Sequence, residues 1–262
     1  MLKVIDIVDF LSDEGQLVYP EGWVGDYDRT AEITGVASHR NAKKGDLSWT
    51  SMKGLYSSEF KGSLIITPAD SNNIILNSIL CKHPRLAFIK VCQKFFNQNT
   101  VDIVLGKNYI EGQNCSIGVE GFGHGKDENG IWQRFPHFGK IIIGDNVEIG
   151  SNVVINRGVL GDTIIGNNVR IWHGANIGHN CLIGHNTVIL NGAILCGSVV
   201  VGDGCWISPG AIIKNKIQIG YNSQIGLGAV VIKDVPYSTI VAGNPARVIG
   251  RVDENTYNMR SY

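Results

Sequence analysis

From Ile165 to Val231 every sixth residue is aliphatic, running through Ile171, Ile177, Ile183 and Ile189 to Ile219 and Ile225 without a miss. Four places after each lies a second track of small or apolar residues: Val169, Ala175, Cys181, Thr187 and Ala193, and on to Ser223, Ala229 and Val235. A fixed six-residue period outranks local propensity and is the mark of a parallel β-helix, in which three hexads make one triangular coil. Residues one coil apart then stack in adjacent parallel strands, about 4.8 Å from each other. Spacing in this sequence can therefore be read as distance.

The bulk numbers narrow the class. A chain of 262 residues holds one large or two modest domains with ample core. Its 23 basic and 23 acidic residues leave no net field to favour nucleic acid or an anionic membrane surface. No apolar run is long enough to predict a membrane-spanning helix. Met1-Leu2-Lys3-Val4-Ile5-Asp6 carries acids through its apolar stretch and reads as an amphipathic helix, not a signal peptide. The 6 cysteines show no CxxC spacing, and Cys181 and Cys205 fall on the small-residue track, so a reducing, cytoplasmic setting is expected. Many of the 33 glycines hold turn positions in the repeat.

The first hundred residues follow another grammar. Amphipathic patterns predict helices over Lys3–Glu14 and Pro84–Phe96, with short β-rich runs at Glu32–Val36, Leu47–Trp49, Leu64–Thr67 and Asn73–Leu76. The expected organisation is a small α/β domain over 1–100, a β-helix over 101–236, and a tail over 237–262 that covers the open coil end. The repeat starts weakly at Ile110–Gly118 and breaks at a loop rich in Gly, Trp and Phe over Gly121–Lys140. It resumes at Ile143 and takes a four-residue insertion between Ile155 and Ile165. Insertions in solenoids emerge as loops, frequently where ligands bind.

His173, His179 and His185 occupy equivalent places in successive hexads, which sets them on three different sides of one coil. Two readings stay open: histidines of neighbouring chains share a zinc ion, or one acts as a general base while the others are turn residues. Gly197 lies one coil beyond His179 on the same side, where its N–H could face an oxyanion beside the imidazole.

Several stretches then resemble one family. Gly121-Phe122-Gly123, Gly130-Ile131-Trp132, Ile142-Ile143-Gly144-Asp145-Asn146, Ile155-Asn156-Arg157-Gly158, Asp162-Thr163-Ile164-Ile165-Gly166 and Ile177-Gly178-His179-Asn180 run in the order seen in UDP-3-O-acylglucosamine N-acyltransferases of lipid A synthesis. Ile33-Thr34-Gly35-Val36 and Gly45-Asp46-Leu47-Ser48-Trp49 resemble that family's nucleotide-binding domain. The resemblance implies a left-handed β-helix homotrimer with sites between chains, His179 as catalytic base and Gly197 as oxyanion donor. It also implies that Trp49 stacks on the nucleotide base, with Tyr56 as an approximate partner and Lys216 near the phosphates. Met52 stands where the family has an asparagine that bonds the base.

The tail Val241-Ala242-Gly243-Asn244-Pro245-Ala246-Arg247 instead resembles hexapeptide acetyltransferases that use coenzyme A, and implies donor contacts at Gly228, Ala229 and Arg247. The expected function is transfer of an acyl group from acyl-CoA, as co-substrate, to the amine of a dTDP- or UDP-linked amino-deoxyhexose for a surface glycan. No metal, nucleic acid or membrane partner is expected. The competing readings are the lipid A enzyme with an acyl carrier protein donor, a trimeric zinc β-helix carbonic anhydrase, and a non-catalytic sugar-nucleotide-binding scaffold.

Overall fold

The computed structural model describes residues 1–18, 27–52, 60–71, 76–96 and 101–253. It divides into two compact units, Met1–Asn99 with Phe122–Pro136, and Thr100–Gly121 with His137–Tyr262. The loop that sequence reading left with the β-helix thus gives residues 122–136 to the first unit. The reason is local: Phe135 is buried and packs 5.6 Å from Phe88 and 6.5 Å from Trp49, ring centre to ring centre.

The first unit carries a parallel sheet in the order β1 (Gly35–Val36), β2 (Asp46–Trp49), β3 (Leu64–Pro68) and β4 (Ser78–Cys81). Helix α1 (Val4–Asp13) buries Val4, Ile7, Val8 and Leu11, the single stripe that a 3.6-residue period produces. Helix α2 (Pro84–Phe95) opens on a proline, whose missing N–H would have no partner in a first turn anyway. Two strands differ from expectation. Glu32 makes only an isolated bridge to Lys3, so β1 is shorter than Glu32–Val36. Of the run placed at Asn73–Leu76, residues 73–75 lie outside those described and Leu76 is exposed. Asn77 turns the chain with φ 62°, and the buried strand begins only at Ser78.

The second unit is a left-handed parallel β-helix of hexapeptide coils with three faces. The first face stacks Ile103–Leu105, Ile141–Ile143, Thr163–Ile165, Leu182–Ile183, Val200–Val201 and Gln218–Ile219. The second runs from Ile110–Glu111 to Gln224–Ile225 and the third from Ser116–Glu120 to Val230–Val231. Register confirms the coil length, since Ile164 pairs with Leu182, Leu182 with Val200 and Val200 with Gln218. The first coil, residues 103–120, begins at Ile103–Leu105, ahead of the weak start of the pattern at Ile110.

Both tracks point inward, and every residue of the second track is buried. Its polar members are satisfied there. The Cys181 thiol reaches the Cys196 carbonyl at 3.3 Å, Thr187 Oγ1 donates to Gly202 at 3.0 Å, and Ser223 Oγ donates to Pro236 at 2.7 Å. Burial pushes the Cys181 thiol up to about 12, which keeps it neutral.

The corners decide which residues the repeat tolerates. At every sixth position one residue takes φ near +60°, among them Asn168, Gly174, Asn180, Asn186, Gly192 and Ser198. Asparagine enters this region at lower cost than most side chains. On the corner between the first and second faces the asparagines also bond to one another, Asn146 to Asn168 at 3.2 Å and Asn168 to Asn186 at 3.1 Å. The tail closes the last coil. Gly220 N–H donates to Val235, Thr239–Ala242 pairs in parallel with Gln224–Ile225, and Ala246 N–H donates to Val230. Arg247–Arg251 then folds back antiparallel on Thr239–Ala242.

Two glycines separate strain from crowding. Gly174 has φ +69° and open space where a Cβ would stand, whereas a Cβ on Gly184 would lie 2.5 Å from the Gly202 carbonyl carbon. Gly174→Ala is expected to cost about 1–2 kcal/mol from the left-handed backbone alone. Gly184→Ala should cost more, because the next coil must move. Denaturant unfolding of both at one protein concentration checks the order, and equal losses would contradict it.

Candidate functional site

The two insertions in the repeat leave from the same corner, between the third and first faces. One separates Ser116–Glu120 from Ile141–Ile143, the other Val154–Arg157 from Thr163–Ile165. His179 stands on this corner in the next coil, while His173 and His185 stand on the other two. Their equivalent sequence positions therefore lead to different surroundings.

Hydrogen bonds set the imidazole tautomers. His173 Nδ1 accepts the Ser151 N–H at 2.8 Å and His185 Nδ1 accepts the Asn167 N–H at 2.8 Å, so each caps a turn of the preceding coil through an unprotonated Nδ1. His179 is the reverse case. Its Nδ1 lies 3.0 Å from Asn180 Oδ1. The Asn180 amide has only one orientation, because Nδ2 donates to the Gly161 carbonyl at 2.6 Å and Oδ1 accepts the Val159 N–H at 2.9 Å. An oxygen that already accepts from an N–H requires a donor on the ring, so His179 carries its proton on Nδ1 and leaves the Nε2 lone pair free. The four-residue insertion supplies both groups that orient Asn180.

Gly197 lies against the face of this ring. A Cβ there would come 2.4 Å from His179 Nε2, so the ring occupies the space that any side chain at 197 would need. On the other side, a Cβ on Gly121 would lie 3.2 Å from His179 Cδ2. The Gly197 N–H has no acceptor among the described residues. At equivalent turns elsewhere that N–H is taken by a side chain of the next coil, as at Lys107 by Asp145 and at His185 by Asp203. The corner thus presents a proton acceptor and an unused N–H donor side by side, which can serve proton transfer coupled to a developing oxyanion.

The structure sorts the other expected residues. Lys216 joins the same corner one coil beyond Gly197: its N–H donates to the Gly197 carbonyl at 3.0 Å, and its φ of 65° is strained for a lysine. Trp49 belongs to the first unit, where it packs 6.4 Å from Phe88 and lines a surface cavity. Tyr56 lies outside the described residues. Gly228 is an exposed corner glycine with φ +59° and nothing near it, open to a ligand. Ala229 is a correction: it is 0% exposed, its methyl belongs to the inner track, and it has no surface to offer a donor. Arg247 is exposed and bonds the carbonyls of Pro245 and Ala246. No cluster of three His, Cys, Asp or Glu side chains able to hold a metal occurs among the described residues.

Two elements of this corner escaped sequence reading. His137, 1% exposed, meets His179 edge to face with ring centres 5.7 Å apart. Its backbone N–H donates to Glu120, which forms a 2.7 Å ion pair with the nearly buried Arg157. The only available signal was that all three residues border the insertions.

Residues 162–197 match the bacterial transferase hexapeptide (six repeats) family. The chain is a hexapeptide-repeat β-helix protein. A UDP-3-O-acylglucosamine N-acyltransferase of Coxiella burnetii is 49% identical over 67 residues, 26% of this chain and 20% of that protein. One from Shewanella denitrificans is 39% identical over 97 residues, 37% of this chain and 28% of that protein. The matches therefore span less than a third of either relative's length. Among solved structures, a UDP-N-acetylglucosamine acyltransferase from Bacteroides fragilis shares the fold, with a TM-score of 0.53 and 18% identity over 90% of this chain and 76% of that one. Another, from Francisella novicida, gives 0.53 and 22% over 87% and 72%.

The tautomers are directly measurable. Long-range 1H–15N spectra at neutral pH should show His179 protonated on Nδ1, and His173 and His185 protonated on Nε2. Asn180→Ala should move His179 towards the Nε2–H form, and a wild-type His179 already in that form would refute the assignment.

Proposed function

We propose that this protein is an acyl-CoA-dependent N-acyltransferase whose acceptor is the amine of a dTDP- or UDP-linked amino-deoxyhexose used in surface glycan synthesis. The observation that carries this reading is the His179 Nε2 lone pair set against the free Gly197 N–H. The amine nitrogen attacks the thioester carbonyl and forms the C–N bond, and His179 Nε2 takes the amine proton. Gly197 N–H bonds the tetrahedral oxyanion. Collapse breaks the C–S bond, and the imidazolium returns its proton to the departing thiolate, giving the amide and free coenzyme A.

A donor with phosphates at the end of an extended arm suits this corner. Lys214 and Lys216 follow Gly197 by one coil and Lys233 by two, all exposed, so cations continue along the corner towards the tail that carries Arg247. A second reading, the UDP-3-O-acylglucosamine N-acyltransferase with acyl carrier protein as donor, is favoured by the 49% identity of the matched segment. Donor use separates them. We expect turnover with acyl-CoA alone, and an Arg247→Ala variant with a raised KM for acyl-CoA and little change for the sugar nucleotide. Turnover only with acyl carrier protein would select the second reading.

His179→Ala should lower kcat by at least about 10²-fold with small changes in either KM. His173→Ala and His185→Ala should instead cost about 0.5–1.5 kcal/mol of stability, the worth of a turn-capping hydrogen bond, and retain most activity. A His179 variant with near-normal kcat would sink the general-base role.

The working unit we propose is a homotrimer. The two faces that flank the His179 corner turn aliphatic side chains outward, with Val104 51%, Leu182 41%, Ile194 40% and Ile212 39% exposed. The second face carries the Glu148–Arg170 ion pair instead. Apolar stripes of this kind favour packing against another copy. Leu182→Lys should yield smaller species in sedimentation while keeping the β-rich circular dichroism spectrum. A wild-type monomer at micromolar concentration would contradict the trimer.

A further inference from the structure

On the first unit, a cavity of about 330 Å3 opens where the end of β2 meets the start of α2. Its walls include Trp49, Ser51, Lys82, Arg85, Leu86 and Lys126. Three cationic residues thus border one small space. Among the described residues no carboxylate lies within ion-pair distance of any of them, whereas the nearby Lys90 pairs with Glu14 and Glu128. Like charges brought together without a counter-charge repel, so an anion is favoured there.

The cations are held by different means. Arg85 donates to the His124 carbonyl at 3.2 Å and lies 5.8 Å over the Phe135 ring. Lys126 sits 4.9 Å over the Trp132 ring. Lys82 is fixed through its backbone, whose N–H donates to Gln16 at 3.0 Å. The helix start adds donors to the same wall. No side chain caps α2, and the Arg85 and Leu86 N–H groups have no acceptor among the described residues. Gly125 lets the Lys126 segment approach, because a Cβ there would press to 3.0 Å on Ile89 Cδ1. Trp49 contributes a large aromatic wall, with His83 also on the lining.

A flat apolar surface beside clustered cations, in a space within the usual range for ligand cavities of about 300–1,000 Å3, fits a nucleoside diphosphate. We infer that Lys82, Arg85 and Lys126 bind the diphosphate of the nucleotide-linked acceptor, on the side of the cavity away from the base at Trp49. The inference rests on the proposed nucleotide reading of Trp49 and assigns the phosphates to the first unit itself, without need of Lys216.

Calorimetric titration of the full chain with UDP, dTDP, the matching nucleosides and inorganic pyrophosphate tests it. Wild-type protein should bind one nucleoside diphosphate more tightly than its nucleoside. Lys82→Ala and Lys126→Ala should each weaken the diphosphate about two- to fivefold, the scale of an exposed ion pair. The double variant Lys82→Glu/Lys126→Glu should weaken it by at least about tenfold and leave the nucleoside within about twofold. Both lysines are exposed, so melting temperatures should hold; if the double variant unfolds early, the single alanines carry the measurement. Unchanged diphosphate affinity in these variants, with loss in Trp49→Ala, would overturn the inference and keep the nucleotide reading. Loss in the lysine variants but not in Trp49→Ala, with pyrophosphate binding as tightly as the nucleotide, would keep the diphosphate site and overturn the base assignment. Failure of wild type to bind any phosphate ligand would overturn both.

Discussion

Successive coils lie about 4.8 Å apart because parallel backbone ladders hold them there, and the rest of the β-helix follows from carrying that spacing round three corners per turn. A strand can keep the distance unaided, but a corner cannot. There the chain must reverse its curvature within a few residues, which demands φ near +60° at one residue in each hexad. Beside that residue the coils approach so closely that a Cβ on Gly184 or Gly202 would meet backbone atoms of the next coil. Asparagine and glycine at fixed intervals are therefore as much a part of the repeat as its aliphatic track.

The candidate site arises where this regularity is relaxed. Without the four extra residues that bring in Val159 and Gly161, Asn180 would be one more corner asparagine, free to bond its neighbours as Asn168 and Asn186 do. With them its amide is locked, and the lock reaches the imidazole next door. Three histidines in the same sequence frame thus carry two different tautomers. The scaffold supplies rigidity, and a small departure from it supplies chemical distinction.

The reach of the sequence follows the same division. Ile164 to Leu182 register and the inward tracks were legible because a six-residue period leaves few alternatives. The stack of His179 beside Gly197 was legible for that reason too. What could not be read depended on contacts between residues far apart in sequence. The share of Phe135 in the first unit's core follows from packing on Phe88, and the position of β4 from a turn at Asn77. His137 reaches His179 across the insertions, where no periodicity applies. Ala229 was misread because a resemblance in the tail says which stretch approaches a ligand, not which side chain points outward.

The two ends of the β-helix are unequal. The tail covers the last coil on all three faces, while at the first coil Ile103, Leu105 and Ile110 remain 41%, 50% and 60% exposed. End-to-end stacking of coils needs both ends open, and here one of them is covered. The hairpin formed by Thr239–Ala242 and Arg247–Arg251 therefore does more than finish the core. By masking one of two complementary edges, it bars the open-ended stacking through which a stripped β-solenoid would grow into a fibre.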